Sequence, residues 1–163
     1  MTGRLQNKVA IITGAGCIGP GWGNGRATVV RFVQEGARVL AVDRDPDAML
    51  ETLERVRALG GAAEPWQCDV TDERAVAAMV AACIARFGRV DILVNNVGGS
   101  ARGGPVDLAP ADWQRQIDFN LTSVYLSCRH VLPVMVEQGG GAIVNTSSTS
   151  GLRWTGSAQC AYA

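Results

Sequence analysis

The stretch Thr13-Gly14-Ala15-Gly16-Cys17-Ile18-Gly19-Pro20-Gly21-Trp22-Gly23-Asn24-Gly25 decides how this chain is read. An apolar run, Lys8 to Thr13, leads into it, and a segment with Val29, Val30 and Val33 at helical spacing leads out. Glycine between a strand and a helix lets an anionic group reach backbone N–H groups at the helix N-terminus with no side chain between. A glycine cluster by itself also suits a long connecting loop. The strand before, the helix after and the acid Asp43, 18 residues past Gly25, favour a phosphate loop. A carboxylate at that place accepts hydrogen bonds from ribose hydroxyls and repels a 2′-phosphate. The neighbouring Arg44 carries a charge that suits the phosphate instead. With Asp43 present, the balance favours NAD over NADP.

Outward from this loop, short apolar runs alternate with helical patterns. The runs are Lys8–Thr13, Arg38–Asp43, Ala62–Gln67, Val90–Asn95 and Ala142–Thr146. Four of them are rich in Val, Ile or Leu, as strands covered on both faces of a parallel sheet are. The run at 62–67 is weaker and rests on its place in the alternation. Between them, Thr71 is expected to cap a helix carrying Val76, Met79, Val80, Cys83 and Phe87 on one face. Asp45-Pro46 and Pro110 mark two further helix starts. Ile117, Leu121, Val124, Cys128, Val131 and Met135 form the predicted inner stripe of a long helix from Asp112 to about Met135, weakened at Pro133 and ended by Gly139-Gly140-Gly141. The order β-α-β-α-β-α-β-α-β predicts an α/β fold, a doubly wound parallel sheet with right-handed crossovers. No repeat or low-complexity linker divides the chain, so residues 1–163 are expected to form a single dinucleotide-binding domain.

Composition narrows the classes. In 163 residues, 15 Lys and Arg balance 15 Asp and Glu, which speaks against a nucleic-acid surface. At 47% apolar and 18% charged the chain is globular rather than disordered. No apolar run reaches the roughly 18–20 residues of a membrane span. The start Met1-Thr2-Gly3-Arg4-Leu5 does not resemble a signal peptide. A cytoplasmic chain with no membrane partner is expected. Cys17, Cys68, Cys83, Cys128 and Cys160 are scattered and there is one histidine, His130, so reduced, mostly buried thiols and no metal are expected.

Together with residues downstream, these features resemble the short-chain dehydrogenase/reductase family over essentially the whole chain, Lys8 to Tyr162. Asn95-Asn96-Val97-Gly98 is similar to the family's Asn-Asn-Ala-Gly after the fourth strand. Cys68-Asp69-Val70 resembles the Asp-Val pair beside the adenine, and Asn120 matches the helix asparagine of the catalytic set. Val144 to Ser148 resembles the segment that carries the catalytic serine, and Ala161-Tyr162-Ala163 looks like the start of Tyr-x-x-x-Lys.

The resemblance implies a Rossmann-type sheet in strand order 3-2-1-4-5. It also implies an NAD(P)-dependent oxidoreductase moving a hydride between the nicotinamide and a secondary alcohol or ketone. Gly14, Cys17, Gly23, Asn24, Gly25, Asp43, Arg44, Asp69, Val70, Asn95, Asn96, Val97, Gly98 and Tyr162 are then expected at the cofactor. Tyr162 is the expected general acid/base, Ser148 the group that holds the substrate oxygen, and Asn120 the holder of a water that links the lysine to solvent. A homodimer or homotetramer through the long helix, whose apolar surface includes Trp113, Phe119, Tyr125 and Leu132, is expected of the complete protein.

Three departures stand out. Eight residues separate Gly14 from Gly23 where the family has three, an insertion of five, and Asn24 takes the place of a small apolar residue. Ser148 precedes Tyr162 by 14 positions rather than 13, which keeps Ser147 as an alternative serine. The lysine expected at position 166 lies past Ala163, so about a third of the usual length, with the substrate loop, is expected to be missing. Three readings stay open: a piece of a longer dehydrogenase, a truncated dinucleotide-binding domain without turnover, and an interaction domain that uses the fold alone. The loop Gly99–Pro105, with Ser100 and Arg102, reads equally as a pocket wall or a surface loop, and Trp154 as a packing aromatic or a substrate contact.

Overall fold

All five residues of Val9–Thr13 (β1) are buried, because this strand lies in the middle of a sheet with helices on both faces. Alternate side chains go to opposite sides. Val9 and Ile11 join a core with Leu40, Val76, Met79 and Val131, whereas Ala10 and Ile12 join a second core with Val29, Val33, Leu53 and Val56. In the structure, a computed structural model that describes residues 3–163, this sheet has five parallel strands in the order β3-β2-β1-β4-β5. The remaining strands are Arg38–Asp43 (β2), Ala63–Gln67 (β3), Ile92–Asn95 (β4) and Ala142–Asn145 (β5). Ile11 pairs with Leu40 on one side and Leu93 on the other. The α/β fold and the 3-2-1-4-5 order expected from sequence are those observed. Part of the N-terminal stretch weighed as a signal, Met1 and Thr2, lies outside the described residues.

The helices are Asn24–Gln34 (α1), Leu50–Ala58 (α2), Glu73–Phe87 (α3), Pro110–Ile117 (α4) and Ser123–Glu137 (α5). α1 and α2 cover one face of the sheet, and α3 and α5 the other. Asp72, not Thr71, caps α3, accepting from the N–H groups of Arg74 and Ala75 at 2.8 and 3.3 Å. Thr71 gives its N–H and hydroxyl to Asp69 instead, at 2.9 and 2.7 Å. Pro46 opens a 3-10 turn, Asp47–Met49, that leads into α2 at Leu50, four residues later than the sequence suggests.

The long helix is not continuous. A π turn over Asp118–Thr122 separates α4 from α5. Its extra residue per turn rotates α5 relative to α4, so Leu121 is 62% exposed while Leu126, outside the predicted stripe, is buried with Val131 and Met135. α5 runs on through the exposed Pro133 to Glu137.

Candidate dinucleotide cleft and reaction site

Glycine is required where the loop after β1 meets α1. A Cβ on Gly25 would stand 1.7 Å from the Gly14 carbonyl oxygen, and Gly14 itself has φ +64°. The loop continues along the end of β2. The Gly16 N–H donates to Asp43 Oδ2 at 2.9 Å, and the Cys17 N–H to the Ala48 carbonyl at 3.3 Å. α1 then begins at Gly23 with no side-chain cap among the described residues and no acid in its first turn, unlike α3 with its Asp72 cap. Orphan N–H groups and the positive end of the helix dipole are therefore left facing the loop.

These elements enclose a cleft of about 810 Å³ at the carboxyl ends of the strands. Eleven of the residues expected at a cofactor line it: Gly14, Cys17, Gly23, Asn24, Gly25, Asp43, Arg44, Asp69, Val70, Asn96 and Val97. Ile18, Gly19, Pro20, Ala48, Cys68 and Phe119 line it too. Sequence reasoning missed these because nothing in the spacing puts the inserted residues or the π turn beside the loop. A neighbouring hollow of about 670 Å³ runs over Arg44 to Pro46 and Gln67 to Asp69.

The cleft's polar groups are held firmly. Asp43 uses its other oxygen to accept the Asp45 N–H at 3.1 Å. Thr71 bonds keep the Asp69 carboxyl below the usual carboxylate range, its backbone N–H first and its hydroxyl second. Burial pushes the Cys68 thiol up to about 11, helped by the charges of Asp69 and Asp72. Asn96 ties the end of β4 to the glycine loop, donating from Nδ2 to the carbonyls of Thr13 and Gly14 at 3.2 and 3.1 Å. Two of the five cysteines, Cys68 and Cys83, are buried, fewer than expected, and the other three are half-buried.

Asn95, Gly98 and Tyr162 do not line this cleft. Asn95 is 4% exposed and lies under α5, donating to Asn145 Oδ1 at 2.9 Å and to Cys128 Sγ at 3.7 Å. Gly98 lies against Asn120, whose Oδ1 would stand 3.1 Å from a Cβ there. Asn120 sits in the π turn and clamps the loop after β4. It accepts the Gly99 N–H at 3.0 Å and donates to the carbonyls of Gly99 (3.0 Å) and Gln116 (2.9 Å). Ser148 follows β5 and caps a 3-10 turn, Thr149–Gly151, accepting the Ser150 N–H at 3.2 Å. Tyr162 lies in a turn, its N–H donating to the Gln159 carbonyl at 3.0 Å. Among the described residues no hydrogen bond links Asn120, Ser148 and Tyr162.

The loop Gly99–Pro105 meets the chain's last turn. The Gly103 N–H donates to Ala158 at 2.9 Å, and the Cys160 N–H to Gly103 at 3.2 Å. This loop and residues 150–163 border a cavity of about 260 Å³ that includes Trp154, which is exposed rather than packed.

A family model described as short chain dehydrogenase matches residues 8–163. The oxidoreductase YxbG of Bacillus subtilis is 43% identical over 150 residues, 91% of this chain and 53% of that protein. A short-chain dehydrogenase/reductase structure from Burkholderia xenovorans superposes with a TM-score of 0.97 at 64% identity, covering 98% of this chain and 64% of that one. A 7α-hydroxysteroid dehydrogenase, solved with NADH and 7-oxo glycochenodeoxycholic acid, superposes with a TM-score of 0.85 at 36% identity over 93% of this chain and 57% of its own. The chain thus spans little more than half the length of the curated relatives it matches. With the family model spanning nearly all of it, the chain belongs to the short-chain dehydrogenase family.

Proposed function

We propose that this chain is the dinucleotide-binding domain of an NAD-dependent oxidoreductase that acts on a small secondary alcohol or ketone. One observation carries the reading: the uncapped N-terminus of α1 and its glycine loop open onto a cleft that the Asp43 carboxylate, bound to the loop at Gly16, also lines. Backbone N–H groups of Gly23, Asn24 and Gly25 suit a diphosphate, with Gly14 and Cys17 beside them. Asp43 suits ribose hydroxyls, Asp69 and Val70 the adenine, and Asn96 and Val97 the path to the nicotinamide. NAD is favoured over NADP because the Asp43 carboxylate repels a 2′-phosphate. The guanidinium of the adjacent Arg44 leans toward the Phe119 ring, 5.9 Å from its centroid.

The bound nicotinamide supplies or accepts the hydride. The protein's own groups manage the proton. Ser148 accepts the Ser150 N–H and donates its O–H to Ser150 Oγ, both at 3.2 Å, and holding a substrate oxygen exchanges the second of these partners. Tyr162 is the acid/base: a phenol near pKa 10 needs positive charge close by to exchange protons at neutral pH. Asn120, bound on both sides of Gly99, acts as a positioning residue for the loop that borders the substrate. Trp113, Leu121, Tyr125, Leu132 and Val136 leave an exposed apolar stripe on α4, the π turn and α5, which suits a homodimer or homotetramer in the cytoplasm.

Turnover of a panel of secondary alcohols with NAD and with NADP tests this reading. Tyr162→Phe should lower kcat by about 100- to 10,000-fold while NADH affinity stays as in the wild type. Wild-type kcat in that variant would remove Tyr162 from the chemistry.

A further inference from the structure

The five extra residues of the glycine loop are packed against the fold in their trailing half and exposed in their leading half. The chain turns at Gly21, whose φ of +101° suits glycine alone. Arg26, in the first turn of α1, is 2% exposed. Its guanidinium donates to the Gly21 carbonyl, to Glu51 at 2.5 Å, to Thr52 Oγ1 at 3.1 Å and to the Ala48 carbonyl at 3.4 Å. A buried guanidinium needs such a full set of acceptors to offset its desolvation. Thr52 extends the link by donating to the Ala15 carbonyl at 2.9 Å. Trp22 lies under the Arg55 guanidinium, 4.4 Å from its ring centroid, and Arg55 is held by Glu51 at 3.0 and 2.6 Å. The turn is thus fastened to α2 through Gly21 and Trp22.

Its leading half differs. Ile18 and Pro20 are exposed, yet with Gly19 they line the cleft beside Asp43, Arg44 and Asp45. The bonds from Gly16 to Asp43 and from Cys17 to Ala48 set the base of the turn on the side where the carboxylate suits a ribose. An isoleucine held in water at the mouth of a cleft is apolar surface that gains by being covered.

Resting on the dinucleotide reading above, we infer that the Ile18–Trp22 turn is a retaining wall for the adenosine ribose end of the bound cofactor, with Arg26 and Trp22 as the positioning residues that hold it. The wall slows cofactor release. It leaves entry largely unchanged, since affinity differences between close variants fall mostly on dissociation.

Stopped-flow displacement of NADH tests this in the purified protein, in a variant lacking residues 18–22, and in an Ile18→Ala/Pro20→Ala double variant. NADH is expected to leave the deletion variant about tenfold faster than the wild type and the double variant several-fold faster, with similar association rates. A merely structural contribution would lower the amount of NADH bound, not the rate at which bound NADH leaves. Equal release rates across the three proteins overturn the wall. The double variant alters only exposed side chains and decides the matter if the deletion prevents folding. Failure of the folded wild type to bind NADH removes the dinucleotide reading and the wall together.

Discussion

Asp91 binds together the end of the sheet opposite the cleft. It is 7% exposed, accepts the Val9 N–H at 2.9 Å and two Arg89 donors at 2.9 and 2.7 Å, and lies 3.8 Å from Lys8 Nζ. Burial pushes its pKa up, but the Arg89 and Val9 hydrogen bonds, with the charges of Arg89 and Lys8, outweigh it and leave the group below the usual range. Glu35, bonded by the side chain and N–H of Arg4, is lowered in the same way to about 2. A carboxyl with a depressed folded pKa contributes its stability in full above the unfolded value, near pH 4, and loses it as the pH falls through the folded value. Urea midpoints should therefore drop on acidification, and Asp91→Asn should make that drop shallower while costing about 1–3 kcal/mol at pH 7. An unchanged acid slope would contradict the assignment. Gly14 and Gly25 were legible in the sequence because close backbone approach demands glycine, and Asp43 because it ends the second apolar run 18 residues past the loop. Asp91 and Arg26 were not, since their partners Val9 and Glu51 lie 82 and 25 positions away.

Among the elements, legibility followed burial. β1, β2 and β4 are covered on both faces and read as apolar runs, whereas β3, at one edge, shows an exposed, Pro-containing Ala63–Gln67 and left only its place in the order. β5, at the other edge, has Val144 half exposed. Helix periodicity failed at the π turn, where one inserted residue turned Leu121 out and Leu126 in. Such bulges recur at functional positions, and this one carries Asn120. The contrast is measurable: Leu126→Ala should cost about 2–5 kcal/mol, and Leu121→Ala within about 0.5 kcal/mol, the range for exposed positions. Equal costs would restore the uninterrupted helix. The cap of α3 was misread by one residue because Thr71 and Asp72 are both good caps, and Asp69 engages the threonine first.

For the whole molecule, the alternation of strands and helices was enough to read a doubly wound parallel sheet, because right-handed crossovers leave few alternatives, while its strand order rested on the family resemblance. Most residues expected at a cofactor were legible for the same reason: the ends of β1, β2 and β4 with their adjoining loops converge on one cleft. The residues proposed to meet the substrate were legible only as motifs. Ser148 and Tyr162 are set by turns after β5, where no periodic pattern fixes side-chain direction. Dinucleotide binding in the cleft at the uncapped α1 N-terminus is the central claim, and titration of the purified protein with NADH, monitored by nicotinamide fluorescence, tests it most directly. Saturable binding at one site is expected, with Kd between about 1 μM and 1 mM, the range in which enzymes hold their substrates, and with weaker binding of NADPH. A folded protein that takes up neither nucleotide would contradict it.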